Sequence, residues 1–369
     1  MRVFTVISKN GDAIPIAQRI VQEGHRVQFY INNKKARGIG NGLVDKHREE
    51  GVLVGRHGRV DMQVFDALLT PTPDCIIFDM AGFGFGTAAD LYRKRGIPVV
   101  GGCEWGDRIE LDVPFSLQVM NTVGIAHKPL DNGIDITTEL WFNGTEVINI
   151  NHTLEDSRLM EGDKGPKAAM GTVMWLGSST SKLFQQSLGK LIPLLIKIGY
   201  VGPLSLETNV TESVLCGKRF ISRFNYGAIF ILLEMLKGRI NDLLYSTAIG
   251  LCKPLGFKSK LGMGVRLMVM PDAPKSTIQG LNKHNLKHFW SYDVYKDGNE
   301  YCINNNGGNI GTVTARGDEV HGFSSLRDAK RRAMRTVNNI VIEDVMYRTD
   351  IGNRVERKKT QLRTWGWIR

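Results

Sequence analysis

The chain has 369 residues, of which 42% are hydrophobic and 23% are charged. These proportions are typical of a globular protein and exclude a disordered or fibrous one. No apolar run approaches the roughly 18 residues that span a bilayer, so no membrane partner is expected, and the start of the chain lacks the apolar segment of a signal peptide. The net charge of +11 favours a polyanionic partner.

The cysteine pattern predicts neither a disulfide framework nor a metal site. The five cysteines lie far apart between Cys75 and Cys302, and none forms a CxxC pair. A reducing cytoplasm is therefore the expected location.

The first 115 residues alternate between short apolar segments and segments with helical spacing. RVFTVIS, RVQFYI, DCIIFDM and IPVVGG are predicted strands, and their alternation with helices predicts a doubly wound parallel sheet. Ligands of such sheets lie beyond the carboxyl ends of the strands. The first strand ends at Lys9, Asn10, Gly11 and Asp12, and we predict that Lys9, Asn10 and Gly11 bind phosphate. The glycine-rich segment 82–86 is not a GxGxxG fingerprint, so a nicotinamide cofactor is not expected.

The next part of the chain is predicted to form one helix, two strands and a polar loop. ELDVPFSLQVMNTVGI has the spacing of one helix, and the Asn143–Gly144 pair predicts a hairpin between the two strands that follow. Residues 158–172, RLMEGDKGPKAAMGT, contain five charged residues, three glycines and one proline. This composition predicts a loop that either solvates a surface or wraps a charged ligand with its backbone amides.

Helices and strands alternate over the remaining residues. The predicted helices are SSTSKLFQQSLGKLIPLLIKIGY, AIFILLEMLKGRINDLLYS and SLRDAKRRAMRTVNNIVIEDVMYR. The predicted strands are GPLSLETNVT, GKRFISRFNYGAI, VRLMVMP, FWSYDVYK and GGNIGTVTARGD. We predict a Rossmann-like domain over residues 1–115, a central domain over 116–250, an α+β domain over 251–353 and a separate tail over 354–369.

The tail, RVERKKTQLRTWGWIR, holds six basic residues and one acidic residue. Cations beside aromatic faces suit phosphate contact and base stacking, so one interpretation is a nucleic-acid-binding tail. The alternative is an extension whose tryptophans pack back on the body of the protein. The residues predicted to contact nucleic acid are Arg357, Lys358, Lys359, Arg363, Trp365 and Trp367.

Four regions, taken in order, resemble glycinamide ribonucleotide synthetase (phosphoribosylamine–glycine ligase), a family of the ATP-grasp superfamily. They are GGCEWGDRIELD, WFNGTEVINI together with RLMEGDKGPKAAMGT, GGNIGTVTARGD and YRTDIGNR. The resemblance covers nearly the whole chain and is to the phage-like branch of the family. It implies an α/β, ATP-grasp-like fold with an N-terminal doubly wound parallel domain and a reduced grasp.

The resemblance also implies site residues. The family's GD-x-GP…MG loop, which lines the substrate cleft, matches residues 162–171, and Arg223 with Phe224 matches its RFG step. Arg223 would grip a carboxylate or a phosphate, although a structural ion pair is the alternative role. The residues predicted to be catalytic are Asp163, Arg219 and Arg223. Those predicted to bind substrate are Arg158, Gly162, Gly165, Gly171, Asn225, Gly307, Gly308 and Asp350.

Two parts of the family's nucleotide site are missing from the sequence. The family carries a lid subdomain over the triphosphate between the segments that match GIAHKPLDNG and IDITTELWFNG, which are adjacent here. Arg219 and Ile221 stand where the family has the glutamate and the asparagine that hold magnesium. A cation in place of a carboxylate reverses the local field, so neither ATP, nor magnesium, nor any other cofactor is expected.

Three functions remain open. The leading hypothesis is an ATP-independent transferase that joins glycine or another small amino acid to a pyrophosphorylated base during phage DNA hypermodification, with Arg219 facing the leaving phosphates. The second hypothesis is ATP-dependent phosphoribosylamine–glycine ligation. The third is an inactive relative that binds a nucleotide or nucleic acid. The sequence does not predict the oligomeric state.

Overall fold

A computed structural model describes residues 1–44, 66, 69, 71–128, 130, 132–252, 255–271, 276–304, 308–319 and 324–368. Within these residues, none of the helices is both long enough and apolar enough to cross a membrane.

The amino-terminal part forms a parallel sheet with the strand order β2-β1-β3-β4. Its strands are β1 (Val3–Ser8), β2 (Arg26–Ile31), β3 (Cys75–Phe78) and β4 (Val99–Val100), and its helices are α1 (Ile14–Gln22) and α2 (Phe85–Lys94). This confirms the predicted doubly wound arrangement. The chain moves from β1 to β2 on one side and returns to β3 on the other. A crevice therefore opens between the carboxyl ends of β1 and β3, where ligands of such sheets bind.

The predicted single helix after this sheet is two helices, α3 (Glu104–Leu111) and α4 (Val113–Thr122). Asp112 between them has an extended backbone, and its side chain accepts a hydrogen bond from the Phe115 amide at 3.1 Å. An N-cap followed by a proline starts a new helix, so the prediction of one helix is wrong. Only residues 123–133 connect α4 to the next strand.

An eight-stranded antiparallel sheet forms the centre of the protein, in the order β12-β15-β10-β7-β6-β5-β8-β9. Its strands are β5 (Ile134–Asn143), β6 (Val147–Met160), β7 (Lys164–Leu176), β8 (Val201–Val210), β9 (Leu215–Ile221), β10 (Leu261–Met268), β12 (Phe289–Ser291) and β15 (Asn309–Gly317). The predicted β5–β6 hairpin is confirmed.

The prediction of a loop over residues 158–172 is wrong, because most of this segment belongs to the β6–β7 hairpin. Arg158 pairs with Lys167, and Met160 pairs with Lys164. Gly162 and Asp163 form the turn, with φ of +68° and +65°. The outer ends of both strands are largely exposed, so they need no apolar alternation and the sequence carries no strand signal there.

The remaining helices are shorter than predicted, except α10, which lies in the segment 354–369 predicted as a tail. They are α5 (Lys182–Gln185), α6 (Ile192–Ile198), α7 (Ile229–Met235), α8 (Ile240–Ala248), α9 (Ser325–Asn338) and α10 (Val355–Thr364). Leu236 ends α7 because its backbone is extended. The amide of the next residue, Lys237, donates to the Gly256 carbonyl instead of to a carbonyl of the helix. Local backbone pairing of this kind overrides helical spacing.

Helices cover both faces of the central sheet. Along β7, Val173 and Trp175 point into one apolar cluster and Met174 into the other. Side chains of α9 and α10 belong to the first cluster, and those of α7, α8 and the amino-terminal sheet belong to the second. The amino-terminal sheet therefore packs against the α7–α8 side.

A small sheet of β11 (Thr277–Ile278), β13 (Val294–Asp297) and β14 (Glu300–Ile303) closes the carboxyl-terminal part. The Gly40 amide donates to the Val294 carbonyl at 2.8 Å, and the Lys296 amide donates to the Asn41 carbonyl at 2.7 Å. These bonds hold the segment after β2 against β13, beside the carboxyl ends of β1 and β2.

Gly171, predicted to bind substrate, lies inside β7, and a β-carbon there would come within 2.4 Å of the Ile351 side chain. We therefore expect Gly171→Ala to lower the free energy of unfolding by about 1–3 kcal/mol through overpacking. Gly238→Ala is the matched control, because a β-carbon at Gly238 has no atom within 4 Å. Urea denaturation measures both. Unchanged stability of Gly171→Ala would contradict the packing role.

Candidate active site

Two buried or half-buried carboxylates, Asp12 and Asp79, lie at the carboxyl ends of β1 and β3. Asp79 is 3% exposed, and its Oδ2 accepts hydrogen bonds from the Ala13 amide at 3.2 Å and from the Tyr226 hydroxyl at 2.9 Å. Burial, together with the charge of Asp12, raises the pKa of Asp79 to about 7. This pair occupies the crevice that the sheet topology creates.

Three cations face Asp12. Burial raises the pKa of the Asp12 carboxyl, and the positive charges of Arg223, Arg266 and Lys9 partly oppose that rise. Arg223 follows β9, Arg266 is in β10, and Lys9 follows β1. Strands of two separate sheets therefore bring one carboxylate and three cations to the same cleft.

Arg223 is oriented by Glu110 of α3. Its Nε donates to Glu110 Oε1 at 2.9 Å, and Glu110 Oε2 accepts from the Ser222 amide at 2.8 Å. The Arg223 side chain is 38% exposed, so the ion pair does not enclose the guanidinium. The structural ion pair, which the sequence analysis gave as the alternative role of Arg223, is therefore present. This ion pair holds Arg223 beside Asp12.

Arg266 and Asn309 carry polar atoms that have no protein partner in the described part of the chain. Arg266 Nε and Asn309 Oδ1 are buried without hydrogen bonds, while Arg266 Nη1 donates to the Ala168 carbonyl at 3.3 Å. Buried polar atoms are normally paired. An unpaired donor and an unpaired acceptor at the cleft therefore favour a bound polar ligand that supplies both complements.

A cavity of about 300 Å³ opens beside these groups. Its lining residues are Asn10, Asp12, Asn33, Lys35, Ala36, Ile39, Tyr292, Asp293 and Asn309. The volume is at the small end of the range for ligand sites. Asn10, which we predicted to bind phosphate, is in this lining, and its Oδ1 accepts from Asn33 Nδ2 at 3.1 Å. The Gly11 amide, by contrast, donates to Ser8 Oγ at 2.9 Å and is not available to a phosphate.

The hairpin residues predicted to bind substrate form a different cluster. Arg348, whose side chain is 1% exposed, donates to both carboxylate oxygens of Asp350, at 2.7 and 2.8 Å. The Gly162 amide donates to Asp350 Oδ2 at 2.9 Å, and Asp163 pairs with Arg354 at 3.0 Å. These bonds fasten the β6–β7 turn to residues 348–354.

Arg158 and Gly165 also serve this hairpin, because Arg158 Nη1 donates to the Gly165 carbonyl at 2.8 Å. The pKa of Asp163 is lowered, first by its hydrogen bond from Arg354. A carboxylate held in this way is a poor proton acceptor at neutral pH. The side-chain contacts of these hairpin residues are thus structural, and the hairpin meets the cleft at Ala168, whose carbonyl accepts from Arg266 Nη1.

The other predicted residues have identifiable local roles. Asn225 Oδ1 accepts from the Gly227 amide at 3.1 Å and shapes the turn after Arg223. Gly308 has a φ of +75°, and a β-carbon there would lie 2.5 Å from the Val269 carbonyl oxygen. Gly307 lies outside the described residues. The predicted substrate contacts of these glycines stay predictions.

Arg219, predicted to be catalytic, pairs with Glu207 on the neighbouring strand β8 at 2.6 Å. The pKa of Arg219 is raised, first by this hydrogen bond. No group of three or more His, Cys, Asp or Glu side chains within the described residues is arranged to hold a metal ion. His284 and His288 have HxxxH spacing, but His288 Nδ1 bonds Glu234 at 3.0 Å.

The tail is not separate from the body of the protein. Trp367 is fully buried, and its Nε1 donates to the Thr211 carbonyl at 2.7 Å. Its predicted role in base stacking is wrong, since a buried indole cannot stack on a base. Trp365 packs partly against the same core, and Lys359 Nζ lies 5.2 Å from the centre of the Trp175 ring. Arg357 and Arg363 lie on the exposed side of α10, and their contact with nucleic acid stays a prediction, as does that of Lys358.

Asp12, Asp79, Arg266 and Asn309 are the site residues to which the sequence analysis gave no role, although it named Asp12 at the end of the first strand. Asp79 follows the predicted strand DCIIFDM at its carboxyl end, which is a usable signal. Arg266 interrupts an otherwise apolar strand, a pattern that marks a buried charge but not its partner. Asn309 has no distinguishing local pattern.

Ionisation of Asp79 should lower the stability of the folded protein. Its pKa is about 7 in the folded state against an ordinary value of 3.8. The stability gained by the protonated form is present below pH 3.8 and is lost as the pH rises through about 7. Asp79→Asn cannot ionise, so its unfolding free energy relative to wild type should rise by on the order of 1–3 kcal/mol between pH 5 and pH 8. Urea denaturation at the two pH values measures this change. The control is Asp297→Asn, which makes the same replacement at an exposed position. A pH-independent difference would contradict the raised pKa.

Comparisons with known proteins identify the fold. No protein-family model matches the chain, and no curated protein sequence matches it. The crystal structure of phosphoribosylamine–glycine ligase from Thermotoga maritima is similar, with a TM-score of 0.70 at 15% identity, over 94% of this chain and 99% of that chain.

Two biotin carboxylase structures are also similar. The biotin carboxylase domain of a single-chain bacterial carboxylase has a TM-score of 0.63 at 10% identity, over 98% of this chain and 99% of that chain. A Campylobacter jejuni biotin carboxylase, in complex with β-γ-ATP, has a TM-score of 0.62 at 10% identity, over 98% and 96% of the two chains. At such identities the likeness shows the fold alone, which is the α/β, ATP-grasp-like fold that the sequence predicted.

Proposed function

We propose that the cleft joins the amine of a small amino acid, glycine in the first instance, to an acceptor that already carries a phosphate or pyrophosphate leaving group. The observation that carries this proposal is the position of Asp12, a half-buried carboxylate among Arg223, Arg266 and Lys9 at the edge of a small cavity. A carboxylate beside several cations matches a ligand that is itself zwitterionic.

The cleft groups complement an α-amino acid and a phosphate. The carboxylate of Asp12 is placed to accept a proton from an ammonium group, and the Arg223 and Arg266 guanidiniums are suited to a carboxylate or phosphate. Arg266 Nε supplies an unused donor and Asn309 Oδ1 an unused acceptor. These two atoms gain partners when such a ligand binds.

The reaction needs no further co-reactant. The amine nitrogen forms a bond to the activated carbon of the acceptor, and the bond from that carbon to the phosphate oxygen breaks. The electron pair leaves with the phosphate or pyrophosphate. Asp12 takes the proton that the ammonium group loses before the attack, and the proton released once the C–N bond has formed leaves with the departing phosphate or pyrophosphate. Burial raises the pKa of Asp12, which makes its carboxylate a stronger base. Lys9, Arg223 and Arg266 stabilise the departing negative charge.

The donor set around Arg219 argues against reaction through ATP. Arg219 is paired with Glu207, so the carboxylate that bonds it is already neutralised. A hard divalent cation needs several oxygen ligands. An acceptor activated in an earlier step avoids this requirement.

The acceptor that the sequence favours is a pyrophosphorylated base in DNA, as made during phage DNA hypermodification. The net charge of +11 supports a polyanionic acceptor. Exposed basic residues on α10, among them Arg357, are placed to contact its phosphates. With Trp367 buried, Trp365, which is only partly buried, is the tryptophan of the tail that can still contact a base.

The test is to incubate the protein with isotopically labelled glycine and DNA containing a pyrophosphorylated base, without ATP. The expected result is a mass gain of the modified nucleoside and release of pyrophosphate. A panel of other small amino acids runs in parallel. No product with any of them, from folded protein, would reject the proposed reaction.

Phosphoribosylamine–glycine ligation is the second candidate, and the similarity to the Thermotoga maritima enzyme favours it. This activity requires ATP, and a ligand that binds only the folded state raises the melting temperature by mass action. ATP with magnesium at millimolar concentration should then give a clear shift. An unchanged melting temperature rejects ligation and leaves the transferase proposal standing.

A further inference from the structure

Phe83 is an exposed aromatic residue in a strained position at the mouth of the cleft. Its side chain is 43% exposed, and its φ of +57° lies in the left-handed region. A residue with a β-carbon avoids this region unless the surrounding structure enforces it. Gly82 and Gly84 on either side also have positive φ values, of +92° and +81°. Glycine at position 83 would remove the strain, so the aromatic side chain needs another explanation.

Helix α3 ties the Phe83 loop to the active-site arginine. Asp107 Oδ2 accepts from the Gly86 amide at 3.0 Å, and the Asp107 carboxylate also accepts from the Gly82 amide. Glu110, one turn further along α3, holds Arg223. One rigid element therefore positions both the Phe83 loop and Arg223.

The ring of Phe83 lies beside one of the cleft cations. Lys9 Nζ is 4.9 Å from the centre of the ring, and Lys9 is close enough to Asp12 to act on its carboxylate. Lys9 thus links the ring to the Asp12 carboxylate, because its ammonium group acts on both. An exposed aromatic face beside a cation is the arrangement that binds a nucleobase and its phosphate.

We propose that Phe83 is a stacking platform for the nucleobase of the acceptor, with Lys9 contacting the phosphate attached to it. This inference rests on the proposed function, and it assigns the acceptor to the nucleotides. The base stacks on the exposed face of the ring, and its activated carbon then points towards Asp12. The strained backbone at Phe83 keeps the ring outside the core.

Two probes separate stacking from charge. Thymidine 5′-diphosphate carries a base and two phosphates, whereas inorganic pyrophosphate carries the charge alone. Phe83→Leu keeps an apolar side chain but removes the aromatic face, so its affinity for thymidine 5′-diphosphate should fall roughly tenfold, and its affinity for pyrophosphate should change less than about twofold. Isothermal titration calorimetry measures both affinities.

Leu111→Ala is the matched control. Leu111 is 59% exposed and lies next to Gly82, so this variant removes apolar surface from the same site without removing a ring. Its affinity for thymidine 5′-diphosphate should stay within about twofold of wild type. Phe83→Tyr should retain wild-type affinity, which separates the loss of the aromatic face from a folding defect.

A tryptophan at this position gives a direct readout. In Phe83→Trp, thymidine 5′-diphosphate should quench the added indole fluorescence saturably, and pyrophosphate should not. No quenching, no binding of thymidine 5′-diphosphate by wild type, or equal loss of both ligands in Phe83→Leu would overturn the stacking role. Quenching without any transfer product rejects the reaction but not the platform, and transfer that is unaffected in Phe83→Leu rejects the platform but not the reaction.

Discussion

Replacing Asp12 by Asn should lower the rate of amine transfer by about 10²–10⁴-fold, the range that a general base contributes. Asn has nearly the same shape but cannot accept the proton that the amine loses. Asp12 lines the cavity and is the carboxylate on which the charges of Arg223, Arg266 and Lys9 act; Asp293 of the same lining and the neighbouring Asp79 are both buried. Burial raises the pKa of Asp12, and transfer by wild type should therefore increase as the pH rises through that pKa, while the residual rate of the variant should not. Initial rates at saturating substrate, measured across pH, test both statements.

Asp242→Asn controls for the loss of one negative charge. Asp242 lies on α8 and pairs with Arg2 at 3.5 Å, with its side chain 47% exposed. It belongs to neither the cavity nor the cation cluster, so its variant should retain transfer within about twofold, as surface substitutions away from a site do. A wild-type rate in Asp12→Asn, or a loss that appears only in KM, would remove Asp12 from the role of base.

Most strands could be predicted from the sequence because buried positions follow a regular pattern along them. The four strands of the amino-terminal sheet are apolar runs that end in turn residues, and the Asn143–Gly144 pair marks the β5–β6 turn. Helix ends were less accessible. Asp112 and Leu236 stop helices through a cap and through a backbone pairing, and neither interaction changes the apolar spacing on which the predictions relied.

The candidate site was less accessible than the fold because its members come from distant parts of the chain. Asp12, Asp79, Arg223 and Arg266 meet only when the parallel sheet packs beside the central sheet. The rule that ligands bind at carboxyl ends of strands located Asp12, and it also applies to Asp79. No local pattern connects either residue with Arg266.

The hairpin shows the opposite situation, in which a strong local pattern predicts a site and the folded chain also gives the same residues a structural role. Glycines and charges over residues 158–172 are typical of anion-binding loops. In the folded chain the Gly162 amide and the carboxylates of Glu161 and Asp163 are used in bonds to residues 349–354, and the Arg158 guanidinium bonds within the hairpin. Composition alone cannot distinguish a loop that binds a ligand from a hairpin that binds another part of its own chain.

The buried Arg348 decides between these two interpretations of the hairpin. Its guanidinium holds Asp350 through two bonds, donates to the Arg158 carbonyl at 2.9 Å and lies 3.7 Å from Asp163. Arg348→Met keeps the apolar volume but leaves the Asp350 carboxylate without its cation. Breaking a buried ion pair in this way should lower the free energy of unfolding by about 3–5 kcal/mol. Urea denaturation measures this loss, and hydrogen exchange should show faster exchange of amides 158–167.

The double variant Arg348→Met with Asp350→Asn tests whether the loss comes from the stranded carboxylate. Neutralising Asp350 removes the unpaired charge, so the double variant should recover part of the stability that Arg348→Met loses, and the two substitutions should not be additive. If Arg348→Met instead keeps wild-type stability and abolishes amine transfer, the hairpin belongs to the active site, as the sequence first indicated. Loss of stability with transfer retained in the folded fraction assigns the network to holding the β6–β7 turn, and leaves the chemistry to the groups around Asp12.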